Sequence, residues 1–163
     1  MMTCHRQRGM ATVEFAVVGL VLFIMIFGVI EVARGYYVYT MLGDVARRGA
    51  RLAAVCPIND PAVSQMAIYN ASGNTGESGL VKGLVPANVV IDYLDANGTV
   101  VPTPAEPDKF GQIRFVRSRV VGFEHALIVP FVTGTSSITM PEFASILPRE
   151  SLGVTREGVI TSC

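Results

Sequence analysis

The chain has 163 residues, half of them hydrophobic and only 16% charged, with 13 basic and 13 acidic side chains and a mean hydropathy of +0.46. This neutral balance lacks the basic excess that nucleic-acid surfaces need. The length leaves room for one soluble domain of roughly 100 residues once a membrane segment is set aside.

From the N-terminus, Arg6-Gln7-Arg8-Gly9-Met10-Ala11-Thr12-Val13-Glu14-Phe15 puts a basic segment, a glycine and a lone carboxylate before a long apolar run. From Phe15 to Ile30 there is no charge, Asn, Gln, Ser, Thr or Pro, and counting back to Met10 adds only Thr12 and Glu14 as polar residues. At ~1.5 Å per residue, residues 10–30 span ~31 Å as a helix, about one hydrocarbon core. An acid in lipid costs on the order of a few kcal/mol, so Glu14 needs an interface, a proton or a positive partner. Cleavage after Gly9 supplies that partner, because it leaves a free α-amine on Met10, one turn from Glu14, where a neighbouring copy's carboxylate can meet it.

Val38, Met41, Leu42, Val45, Gly49, Leu52 and Val55 continue the helix as an apolar stripe, with Asp44, Arg47, Arg48 and Arg51 on other faces. Pro57 stops it, since a residue before proline resists α geometry. Gly19, Gly28, Gly35 and Gly43 are either sites of close helix packing or the glycines usual in membrane helices. Glu31 and Arg34, at i and i+3, form an interfacial ion pair, and Tyr36, Tyr37 and Tyr39 mark the outer membrane boundary. Arg6 and Arg8 at one end are nearly balanced by Arg34, Arg47 and Arg48 at the other. A secretory signal peptide is disfavoured because Glu31-Val32-Ala33 puts a carboxylate where a small residue belongs.

Asp60-Pro61 starts a second helix to about Ala71, and Ser72 to Gly79 reads as a flexible loop. Asn88–Leu94 and Thr99–Val101 flank Asn97-Gly98 as a hairpin. Pro102, Pro104 and Pro107 mark another loop. Gly111–Val121 reads as a long strand with a bulge at Val116-Arg117, and Ser137–Ala144 as an edge strand interrupted by Pro141.

The Gly9, Glu14, Phe15 pattern resembles the class III (type IV) prepilin signal. With Glu31, Arg34, the tract Ala46-Arg47-Arg48-Gly49-Ala50-Arg51 and the later Ser136-Ser137-Ile138-Thr139-Met140, the chain resembles the TadE-like family of minor pseudopilins from tight-adherence (Flp) pilus systems. The resemblance implies a leader at 1–9 removed by prepilin peptidase at Gly9-Met10, a long helix over 10–55 that spans the membrane at 10–30, and a periplasmic domain over 56–163. It also implies that Glu14 and Phe15 serve assembly through the neighbouring amine. The expected partners are prepilin peptidase, other pilins and pseudopilins, the inner-membrane assembly platform and the lipid bilayer, with no nucleic acid, small-molecule substrate or cofactor. The corresponding fold is α+β, a long transmembrane and amphipathic helix followed by a small domain with an antiparallel β-sheet. The location is the bacterial inner membrane, single-pass, with possible entry into a surface pilus that serves adhesion and biofilm formation. The alternative is an uncleaved bitopic assembly factor or secretion adaptor.

Removing the leader takes Cys4 with it and leaves 11 basic residues against 13 acidic ones. Cys56 and Cys163 then remain as an even pair, and two readings stand: a periplasmic disulfide, or two free thiols. Catalysis lacks parts. A chain starting at Met10 holds one histidine, His125, with neither a GxSxG motif nor a second metal-ligating histidine beside it, so a structural role is expected. There is no GxxxxGK[ST] or GxGxxG, so an ATPase driving assembly is a different protein. Arg114, Arg117 and Arg119 read as a solvated strand face, and the sequons at Asn70 and Asn97 as chance matches.

Overall fold

In the computed structural model, which describes residues 8–128 and 136–163, one helix organises everything else. Helix α1 runs unbroken through Arg8–Val55, 48 residues or ~72 Å. It stops where Pro57 forces its neighbour out of α geometry, although Cys56 N still donates to Leu52 O. Its two halves face different surroundings. Over its first half the side chains point outward, with Phe15 79% and Val32 74% exposed, whereas Leu42, Val45, Ala50 and Ala53 are fully buried.

The rest of the chain is a domain on the second half of that helix. Helix α2 (Pro61–Ala67) is followed by strand β1 (Val89–Leu94), the single-turn α3 (Pro107–Phe110), and strands β2 (Phe115–Val120), β3 (Glu124–Ala126), β4 (Ser137–Thr139) and β5 (Phe143–Pro148). β1, β2 and β5 form an antiparallel sheet in that order, and β3 pairs with β4 as a separate two-stranded arm. The α+β layout expected from the sequence is the one observed.

Small residues explain how closely α1 lies on the sheet. The buried face passes from Val38 and Leu42 to Ala46, Gly49, Ala50 and Ala53, while Val55, expected on the stripe, is 39% exposed. A β-carbon on Gly49 would overlap the Ser118 hydroxyl of β2, so the two backbones approach as near as a glycine permits. Beside this contact Val45, Ile68, Leu84 and Val120 form one core cluster, and Cys56, Val63, Ile113 and Leu152 belong to a second near the helix end.

Several sequence expectations are corrected. α2 begins where expected, with Asp60 Oδ1 accepting from Ala62 N at 2.9 Å and Pro61 in the first turn. It ends at Ala67 rather than Ala71, because Tyr69 turns to φ +66° under the Arg48 guanidinium, which also donates to Met66 O. The loop after it is tied down, Gly73 N to Gln65 Oε1 and Ser78 Oγ to Ile68 O. Asn97-Gly98 does not form a two-residue primed turn. Gly98 N donates to Asp95 O, Gly98 alone takes positive φ (+80°), and Asp95 Oδ1 receives both Asn97 N and Thr99 N, so the return arm is a single bridge at Val100. This is the longer turn with a glycine bulge.

The expected long strand contracts to Phe115–Val120 and has no bulge at Val116-Arg117, whose register runs evenly against both neighbours. The apparent slip arose because buried Ile113 precedes the strand in the phase opposite to Val116 and Val120; Ser118, on the buried side of the strand, is the residue that meets Gly49. Pro141 splits the last expected strand into β4 and β5, and β5 does lie at a sheet edge. Arg117 and Arg119 are not a solvated face: both guanidinium groups reach Asp92 Oδ2, at 2.9 and 2.7 Å, across the register pair Asp92–Arg117.

Gly49→Leu is expected to lower the stability of the detergent-solubilised protein by about 1–3 kcal/mol, as overpacking does. Gly19→Leu, at a position with nothing within 4 Å, should leave the thermal or urea midpoint unchanged.

Candidate functional site

The residues singled out by sequence occupy three levels along α1. At its free end, Gly9 and Met10 lie in the first helical turn. Met10, Glu14 and Phe15 are all exposed, and among the described residues Glu14 has no ion-pair partner. A carboxylate standing alone on an apolar helix surface is complementary to a cation brought by something else. Residues 1–7 of the expected leader, including Cys4 and Arg6, lie outside the described residues.

About 26 Å further along, at ~1.5 Å per residue, Glu31 and Arg34 form a 2.9 Å ion pair. A third group joins them from the arm. His125, at the centre of β3 and 5% exposed, points Nε2 to within 3.8 Å of Glu31 Oε1, and Ile128 N donates to Glu31 Oε2 at 3.3 Å. The distance to Glu31 is too long for a hydrogen bond, and Nε2 has no such partner among the described residues. Burial, and then the nearby Arg34 charge, hold the His125 imidazole below its ordinary pKa, against the smaller opposing pull of Glu31.

This cluster sits in a groove of about 980 Å³ between α1 and the arm, with apolar walls that include Phe23, Phe27, Leu127 and Ile138. The arm therefore extends alongside the part of α1 that precedes the tyrosines. Tyr36, Tyr37 and Tyr39 are all exposed, and the Tyr39 ring also meets Phe143 of β5 edge-on at 4.8 Å.

At the far end Cys56 and Cys163 are joined by a disulfide with Cα atoms 5.7 Å apart at a sequence separation of 107. In the chain-entropy model a loop of that size contributes roughly 4–5 kcal/mol. The same segment caps α1. Glu150 N and Leu152 N donate to Ala54 O, Gly153 N and Ser151 Oγ to Val55 O, and these satisfy carbonyls that the helix leaves without partners. Gly153 takes φ +78° with its α-carbon against Pro57, a place closed to any β-carbon.

The structure thus brings Glu31 and Arg34 together with His125, and keeps both apart from Glu14 and from the disulfide. The sequence reading gave His125 only a structural role. The signal that could have found the arm was the alternation of Glu124, His125, Ala126 and Leu127, too short to stand out beside Gly122. Among the described residues no three of His, Cys, Asp and Glu converge as a metal group.

One helix, α1, is long and apolar enough to cross a membrane. The family model described as TadE-like protein matches residues 9–51, beginning at the glycine before Met10 and ending in the small-residue face that packs on β2. No curated protein and no solved structure matches the chain.

Because His125 is favoured as the neutral imidazole in the fold, the unfolded chain takes up its proton first. Stability is therefore complete above the ordinary histidine pKa of about 6.5 and is lost progressively as pH falls below it. Melting temperatures measured from neutral pH downward should show this slope in the parent chain and a shallower one in His125→Gln.

Proposed function

We propose that this TadE-like, pilus-associated protein is a minor pseudopilin of a tight-adherence pilus, matured by prepilin peptidase between Gly9 and Met10. Mature α1 is held in the inner membrane by residues 10–30, and the domain that follows Cys56 stands in the periplasm. The protein is then a structural part of pilus assembly, and through the pilus it serves adhesion and biofilm formation.

The observation that carries this reading is the exposed Glu14 on an otherwise apolar helix surface, four residues after Met10, inside the segment that the family model matches. Cutting at Gly9 creates the cation that such a carboxylate requires. In one chain the new amine and Glu14 are one turn apart. Between two parallel copies shifted along the axis, the amine of one meets the carboxylate of the next, and the energetic cost of an unpaired acid in lipid fixes that shift. Phe15, 79% exposed beside it, offers an apolar ring to the same neighbour.

The periplasmic assignment draws support from the disulfide, since such bonds persist in oxidising compartments. The remaining partners, other pilins and an inner-membrane platform, follow from the same assignment. No ATP-binding motif is present in the sequence, so the driving ATPase is a separate protein.

Intact-mass measurement and N-terminal sequencing from cells with and without prepilin peptidase test the processing. A chain starting at Met10 only when the peptidase is present is the expected result, and Gly9→Val should keep its leader. Retention of residues 1–9 in both strains would point to an uncleaved assembly factor. Glu14→Ala should insert normally but reduce piliation by an order of magnitude or more, as loss of about 1.4 kcal/mol or more per contact implies. Normal piliation would remove Glu14 from the mechanism.

A further inference from the structure

The groove between α1 and the β3–β4 arm has the form of an amphiphile site. Its body is hydrocarbon: Leu20, Phe23 and Phe27 on the helix face Leu127, Ile128 and Ile138 on the arm. Its polar side carries Glu31, engaged by Arg34 and by Ile128 N, and the Nε2 of His125, a residue 5% exposed whose Nε2 is buried and lacks any hydrogen-bond partner among the described residues. From Glu31 back to Leu20 the wall runs ~16 Å at ~1.5 Å per residue, comparable with one leaflet of a hydrocarbon core about 30 Å thick.

The occupant follows from continuity with the neighbouring surface. Leu20, Phe23 and Phe27 belong to the membrane-spanning part of α1, where lipid is the solvent, and they are 60%, 59% and 49% exposed. Ile128 on the arm is 68% exposed at the level of Glu31, as its hydrogen bond requires. An arm fixed at that depth presents its apolar side chains to the same bilayer. Burying such surface is worth about 25 cal/mol per Å², whereas a water-filled groove forgoes it.

We propose that the arm is a second membrane-contacting element, and that the groove seats an acyl chain of a phospholipid from the adjacent leaflet, with a lipid ester or phosphate oxygen accepting from His125 Nε2. Neutral imidazole protonated at Nε2 is the required donor. Arg34, paired with Glu31, lies at the same level and favours the phosphate. This rests on α1 spanning the bilayer.

The chain contains no tryptophan, so a single substitution supplies a unique emitter. Full-length Ile128→Trp, Phe27→Trp and Ile146→Trp, each reconstituted in phosphatidylcholine vesicles with and without mid-chain brominated phosphatidylcholine, read three positions. Ile146 on β5 is exposed and away from the groove. The expected result is blue-shifted, several-fold quenched emission for Ile128→Trp and Phe27→Trp, and unquenched emission for Ile146→Trp. If Phe27→Trp is quenched and Ile128→Trp is not, the arm is clear of lipid and the proposal fails while the membrane span stands. If neither is quenched, the span fails too. Quenching of Ile128→Trp that disappears as protein is concentrated in the bilayer assigns the groove to a second copy's helix and overturns the lipid. A separate His125→Leu variant should retain several-fold less phospholipid after detergent extraction, and unchanged retention overturns the role of Nε2.

Discussion

A single helix has to satisfy two solvents, and the rest of the molecule follows from how it does so. Over residues 15–30 α1 turns mostly exposed hydrocarbon outward, flanked among the described residues by the arm alone, and is long and apolar enough to cross a membrane. Over residues 38–54 the same helix has alanines and a glycine on one side, and a sheet lies against them. Large side chains there would hold β2 away and open the core around Val45 and Val120. The buried Ser118 is the counterpart on the sheet: a small polar residue at the point of nearest approach, tolerated because anything larger would collide with Gly49.

The domain is fastened to this helix at both of its own ends. Near the membrane, the arm meets α1 through Glu31, Arg34 and His125. At the far end the C-terminal segment supplies donors to Ala54 O and Val55 O and closes with the Cys56–Cys163 bond. Between the two, the sheet's outer face pairs Arg117 and Arg119 with Asp92, and Arg119 also with Glu142. A domain fixed at separated points cannot swing about the helix, so whatever orients α1 also orients the domain. Under the proposed pairing of Glu14 with a neighbour's amine, that rigidity would carry an axial position from the helix to the surface of the domain.

Much of this was legible in the sequence where one strong pattern dominated. The apolar run from Phe15 to Ile30, the continuing stripe and Pro57 bounded α1 to within two residues, because helix formation over such a length overrides local glycines. The Asp60-Pro61 cap was legible for the same local reason. What failed depended on contacts distant in sequence. Arg48 covers the end of α2 from 18 residues away, Ile113 is buried ahead of the strand in the opposite phase and so mimicked a bulge, and Arg117 looked solvated because Asp92 lies on another strand. His125 had only a short local signature, since its significance arises from Glu31, 94 positions earlier.

Hydrogen–deuterium exchange of the full chain in lipid nanodiscs tests the central claim, that one rigid helix joins the membrane to the domain. The account predicts unbroken protection from Phe15 through Val55, including Gly35 to Thr40 where the lipid gives way to protein. Rapid exchange confined to Gly35–Thr40 would contradict it, because span and domain would then be separate bodies on a hinge.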